Sequence, residues 1–168
     1  MKITVFIRHA KAVHYVYDSE YDDFDRPLTD RGEREAHEVG VKLAALAARP
    51  DLIVASSAQR TLQTAQAIAE AVQYPASEIK TAYRLYEATM SDFFDVIQQL
   101  DEAVQTVFIV GHNPGVWDCI AAISGEELCI PTAAVIGIEL DIKQWSEIRG
   151  AHGVIAFKIF PEIHTAQK

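Results

Sequence analysis

Two stretches of this chain are apolar at nearly every position: Lys2-Ile3-Thr4-Val5-Phe6-Ile7 and Thr106-Val107-Phe108-Ile109-Val110. A strand with one wet face alternates apolar and polar residues; one covered on both faces reads as a continuous apolar run. Asp51-Leu52-Ile53-Val54-Ala55 has the same character. Helical patterns lie between these runs. Leu28-Thr29-Asp30 opens one, with Thr29 or Asp30 as the cap and Asp30 with Glu33 at capping-box spacing. Its apolar or small stripe is Ala36, Val39, Gly40, Leu43 and Ala47, and it should end before Pro50. A second helix carries Leu62, Ala65, Ala69 and Val72, and stops near Tyr74-Pro75. Residues 79–82 read as a short edge strand. Ser91 or Asp92 opens a third helix with Phe93, Val96, Ile97 and Leu100 inward, and a fourth runs over 116–123. Two closing strands, 133–141 and 154–160, are predicted to be antiparallel to each other, joined by a polar segment holding Trp145 and Gly150. Alternating βα units with a two-strand ending predict an α/β fold: a mostly parallel sheet with a mixed edge and helices on both faces.

The 168 residues suit one domain, 1–168, with a real core. Composition is that of an ordinary globular protein, 49% apolar and 23% charged. A net charge of -9 repels nucleic acid and anionic membrane, so any site for an anion must be a local cationic pocket. Cys119 and Cys129 fit a reducing compartment, and neither sits in a thiolate-phosphatase loop. The first apolar run is too short for a signal peptide, and no segment could span a membrane. A cytoplasmic protein is expected.

Each of the three apolar runs ends in polar residues, where ligand sites of open α/β sheets lie. The first delivers Arg8 and His9. The second delivers Ser56-Ser57 and, at the start of the next helix, Arg60. The third delivers His112, in Gly111-His112-Asn113-Pro114-Gly115. Residues 11–27 form a polar loop long enough to be functional, and it brings Arg26. Three guanidiniums and two imidazoles can thus converge. Guanidinium forks match phosphate oxygens, and the helix beginning near Ala58 adds amide N–H groups for an anion.

Four ordered motifs carry a resemblance. They are Arg8-His9-Ala10, Arg26-Pro27-Leu28-Thr29-Asp30-Arg31-Gly32, the stretch from Ser56 to Ala65 around Arg60, and Gly111-His112-Asn113-Pro114-Gly115. Together they resemble the histidine phosphatase superfamily, and the short chain with its Arg-Pro-Leu-Thr loop is most similar to the SixA-type phosphohistidine phosphatases. The resemblance implies a phosphoglycerate mutase-like three-layer α/β/α sandwich. It implies His9 as the nucleophile, Arg8, Arg60 and His112 as the phosphate pocket, and Arg26 as a further anion contact. Ala10 stands where glycine is commoner and Ala58 where proline is frequent. Leu85-Tyr86-Glu87 fits the Leu-x-Glu pattern of mutase-like relatives, which makes Glu87 the candidate proton donor.

Chemistry bears on these roles independently. A histidine nucleophile needs one unprotonated nitrogen near neutral pH, and neighbouring arginines push its pKa down. His112 could instead be charged and donate to a phosphoryl oxygen. An ester leaving group benefits from a general acid, whereas imidazole leaves with little help, so Glu87 bears on substrate class. A pocket built for an anion repels a dication, so no metal or other cofactor is expected. Arg26 could alternatively pair with Asp23, Asp25 or Asp30. Ser56 and Ser57 read as helix caps, Asn113 as a turn residue, and His14, His37, His152 and His164 as surface or turn residues. Two classes remain: a metal-independent phosphatase acting on protein phosphohistidine or a small phosphate monoester, or a phosphate- or phosphoprotein-binding module without turnover. The short chain, without inserts to retain an intermediate, argues against a phosphomutase.

Overall fold

In the computed structural model, which describes residues 1–16 and 20–162, the apolar runs become strands at the expected places. In chain order the elements are β1 (Lys2–Arg8), α1 (Asp30–Ala45), β2 (Leu52–Ser56), α2 (Gln59–Ala71), β3 (Lys80–Ala82), α3 (Met90–Ile97), β4 (Thr106–Gly111), α4 (Gly115–Ser124), β5 (Val135–Leu140) and β6 (Gly153–Ile159). The sheet order is β3-β2-β4-β1-β5-β6. The first four of these run parallel, while β5 is antiparallel to β1 and β6 to β5. That is the mostly parallel sheet with a mixed edge that the run pattern predicts.

Two apolar layers sandwich the sheet. On one face Val5, Ile7, Ile53 and Phe108 meet Ala36, Val39 and Leu43 of α1 and Ala65, Ile68 and Ala69 of α2. On the other, Phe6, Val54, Val107 and Ile109 meet Phe93 and Ile97 of α3 and Cys119, Ile120 and Ile123 of α4. Burial on both faces is the physical reason these strands carry no alternation. Trp145, read as part of a polar connection, instead lies fully buried in the second layer, its Nε1–H donating to the Val104 carbonyl at 2.9 Å. Among the described residues no helix is long and apolar enough to cross a membrane.

Of the two caps expected for α1 the structure uses the first, and α1 ends before Pro50 as expected, whereas α3 starts earlier than expected. Thr29, not Asp30, caps α1, and its hydroxyl takes the Gly32 amide, so the Asp30–Glu33 box does not form. Helix α1 ends at Ala45, and Ala47 leaves the stripe with φ 54°, exposed. Helix α3 starts one residue before Ser91 because Thr89 caps it, with Asp92 completing a capping box. The topology positions the site. β4 lies between β1 and β2, so the carboxyl ends of these three strands are neighbours on one edge of the sheet.

Candidate active site

His9 follows β1, and its amide donates to Gly111 O at 3.0 Å, at the end of β4. The next residue, Ala10, is fully buried, and its amide donates to Thr64 Oγ1 on α2 at 3.0 Å. Ala10 is not among the residues with positive φ, so alanine fits there without backbone strain. The His9 ring sits with Nδ1 2.7 Å from Ala10 O. A carbonyl only accepts, so Nδ1 carries the proton and Nε2 keeps its lone pair. Burial, and then the charges of Arg60, Arg8 and Arg26, push the His9 pKa down to about 4 against the pull of that hydrogen bond.

His112 follows β4, with its ring centroid 5.3 Å from that of His9. Its Nε2 lies 2.8 Å from Ser56 Oγ at the end of β2. Burial, with His9 and Arg60 next, pushes its pKa down to about 3. The free protein therefore holds a neutral His112, not the imidazolium that sequence reasoning left open; the cause is loss of water around the ring.

The guanidiniums come from three elements. Arg8 ends β1, and its Nη1 donates to Ile130 O at 2.8 Å. Arg60 lies in the first turn of α2 and is buried. The Nε of Arg8 and the Nε of Arg60 are both buried and have no hydrogen-bond partner in the protein. Both arginines act on His9 through their charge, and orphaned cationic donors near an unprotonated imidazole are what a pocket for a tetrahedral oxyanion requires. Arg26 comes from the long loop, where its Nε and Nη2 donate to Asp23 Oδ1 at 3.0 and 2.8 Å and its Nη1 to Val13 O at 2.6 Å. The pairing with Asp23 weighed from sequence is thus present, while the charge of Arg26 still acts on both histidines.

Residues 4–110 match the family model of the histidine phosphatase superfamily, branch 1. The chain belongs to the histidine phosphatase superfamily. Its fold superposes on that of a SixA protein from Agrobacterium tumefaciens, 28% identical, with a TM-score of 0.78 over 95% of this chain and 98% of that one. A SixA structure from Nakamurella, 24% identical, gives 0.79 over 95% and 96%. An uncharacterised Mycobacterium tuberculosis protein is 28% identical over 165 residues, 91% of this chain and 99% of its own.

In this superfamily member the structure brings the His9 and His112 rings to 5.3 Å, within reach of the charges of Arg60, Arg8 and Arg26. Glu87 is exposed and adopts φ 52°, and its neighbour Tyr86 is the residue that packs edge-on against His112, with centroids 5.7 Å apart. Helix α2 starts at Gln59 with Ala58 as its N-cap; Ser56 Oγ accepts the Ala58 amide at 3.4 Å, just ahead of the helix, and also lies 2.8 Å from His112 Nε2. Asn113 donates from Nδ2 to Ile130 O, the carbonyl that also holds Arg8. His14, His37 and His152 are exposed as expected, and His164 lies outside the described residues. The sequence placed Ser56 at a strand end but read it as a helix cap, and gave Asp23 only as a partner of Arg26; Thr64 and Tyr86 carried no signal of a place in the site.

Proposed function

We propose that this protein is a metal-independent phosphatase working through a phosphoryl group carried on His9. The observation that carries this reading is the Nδ1 contact with Ala10 O, which leaves Nε2 as a nucleophile inside a ring of arginines. In the first step the Nε2 lone pair attacks phosphorus, the bond from phosphorus to the leaving atom breaks, and that atom takes a proton. In the second, water attacks phosphorus, the N–P bond breaks, and inorganic phosphate departs with His9 Nε2 free again. Phosphoryl transfer depends mainly on positioning and charge stabilisation; Arg8 and Arg60 supply the charge, and the neutral His112 ring stands beside His9. A ring of guanidiniums repels a divalent cation, so turnover should persist in EDTA.

The substrate is proposed to be a phosphohistidine on a protein or a small phosphate monoester. The first is supported by the likeness to the 28% identical Agrobacterium protein, described as a putative phosphohistidine phosphatase SixA. For ester substrates Glu87 is the proposed proton donor. The test is turnover of an aryl phosphate and of a phosphohistidine peptide in EDTA, with acid-labile phosphate trapped on the protein by rapid quench. Wild type should turn over at least one and His9→Ala neither, a loss of about 10³-fold or more, with no trapped phosphate. Phosphate binding without turnover of either substrate by wild type would instead assign a binding module.

A further inference from the structure

We propose that Asp23 is a positioning residue that aims the Arg60 guanidinium at the phosphoryl group, an inference resting on the phosphatase reading above. Asp23 lies in the loop between β1 and α1, on a single 3-10 turn (Asp23–Asp25). Arg60 donates from Nη1 to the Asp23 carbonyl at 2.7 Å and from Nη2 to Asp23 Oδ2 at 3.3 Å. One residue therefore engages both terminal nitrogens. A guanidinium presents two forks: an end-on pair of terminal nitrogens, and a side-on pair of Nε with one terminal nitrogen. Asp23 takes the end-on fork. The side-on edge keeps an Nε that is buried and has no partner. That edge is left to meet an oxyanion, and the side chain is not free to turn it elsewhere.

Asp23 can act as a fixed point because it is itself gripped. Two Arg26 donors, Nε and Nη2, fall on Oδ1, and the Tyr86 hydroxyl donates to Oδ2 at 2.5 Å. Partial burial raises the carboxyl pKa, but these hydrogen bonds and the charges of Arg60 and Arg26 outweigh it and hold it down to about 2. The carboxylate stays charged under all working conditions. Arg26 accordingly acts through Asp23: the three donors given above are spent on Asp23 and Val13. Tyr86 joins the assembly to the catalytic rings, since it also packs edge-on against His112, and the Arg60 guanidinium lies 5.9 Å from its ring. The loop thereby sets the aim of a residue 37 positions away on a helix.

The opposite role is a carboxylate that occupies Arg60 until a phosphoryl group displaces it. The two make opposite forecasts. The experiment is a cycle of wild type, Asp23→Ala, Arg60→Ala and the double variant, measuring inorganic phosphate binding by calorimetry and KM and kcat on an aryl phosphate. Asp23→Ala should raise the phosphate Kd and KM about tenfold, with kcat changing less, and should add less than about twofold in the Arg60→Ala background. Should circular dichroism show Asp23→Ala unfolded, the cycle is run with Asp23→Asn, expected to raise both constants at least about threefold. Tighter phosphate binding, a rise below about threefold, kcat falling while KM holds, or an equal loss in both backgrounds would each overturn the proposal. Wild type that neither binds phosphate nor turns over would overturn the phosphatase reading itself, before any variant is compared.

Discussion

At the scale of single residues, the contact between His9 Nδ1 and a main-chain carbonyl decides which ring nitrogen can react. The motif Arg8-His9-Ala10 marks the histidine from sequence, but the tautomer follows from the path of the backbone at Ala10. Burial of the ring then keeps it neutral far below the usual imidazole range. Glu87 contrasts with it. Its three-residue pattern is visible in sequence, yet the chain turns there with φ 52° and leaves the carboxylate exposed. An exposed carboxylate can serve as an acid for a leaving group that reaches the mouth of the site. Glu87→Gln should then slow aryl or alkyl ester hydrolysis by about 10²-fold and phosphohistidine hydrolysis by much less. Equal effects on both substrates, measured as kcat, would remove Glu87 from proton transfer.

At the scale of elements, the site depends on how α1 meets the loop that precedes it. Thr29 caps the helix, and its own amide donates to Lys11 O at 2.9 Å. Gly32 packs on the same carbonyl so closely that a Cβ would sit 2.0 Å from Lys11 O. Both partners are main chain, so neither yields by a rotamer change. Gly32→Ala should lower stability by about 1–3 kcal/mol, read from urea unfolding, and should weaken phosphate binding because Lys11 begins the loop carrying Asp23 and Arg26. An unchanged urea midpoint would mean that the helix start relaxes freely. Strands β1, β2 and β4 were legible because a run buried on both faces is largely apolar. Helix starts were less so: at Thr89 and Thr29 the cap is chosen by which hydroxyl reaches an amide three residues on, and several candidates share the required chemistry.

At the scale of the whole molecule, a chain of net charge -9 holds a cationic pocket in which two histidines are neutral. Their folded pKa values, about 4 and about 3, lie below the ordinary value of 6.5. Between these limits the unfolded chain binds protons that the folded chain refuses, so stability must fall as pH drops. From pH 7 to about pH 5 the loss should be on the order of 2 kcal/mol for each histidine. Below about pH 4 the Asp23 carboxylate, held down to about 2, adds a loss of the same sign. Urea unfolding of wild type and His9→Asn at pH 7 and 5 checks this, the variant losing less than wild type. Equal pH sensitivity of the two would show that the His9 imidazole titrates normally.

The amino-acid order alone determined the layered α/β architecture, the strand ends that carry His9 and His112, and the cationic side chain of Arg60 at the start of the helix that follows β2. These follow from local rules: apolar periodicity within a few residues, and the chemistry of side chains placed where strands stop. Folding alone decided that His112 is neutral, that Ser56 meets a histidine as well as the start of a helix, and that Arg26 reaches the site by way of Asp23. Protonation and hydrogen-bond choice depend on which groups lose water together. Here those groups come from segments tens of residues apart, joined only when β4 inserts between β1 and β2.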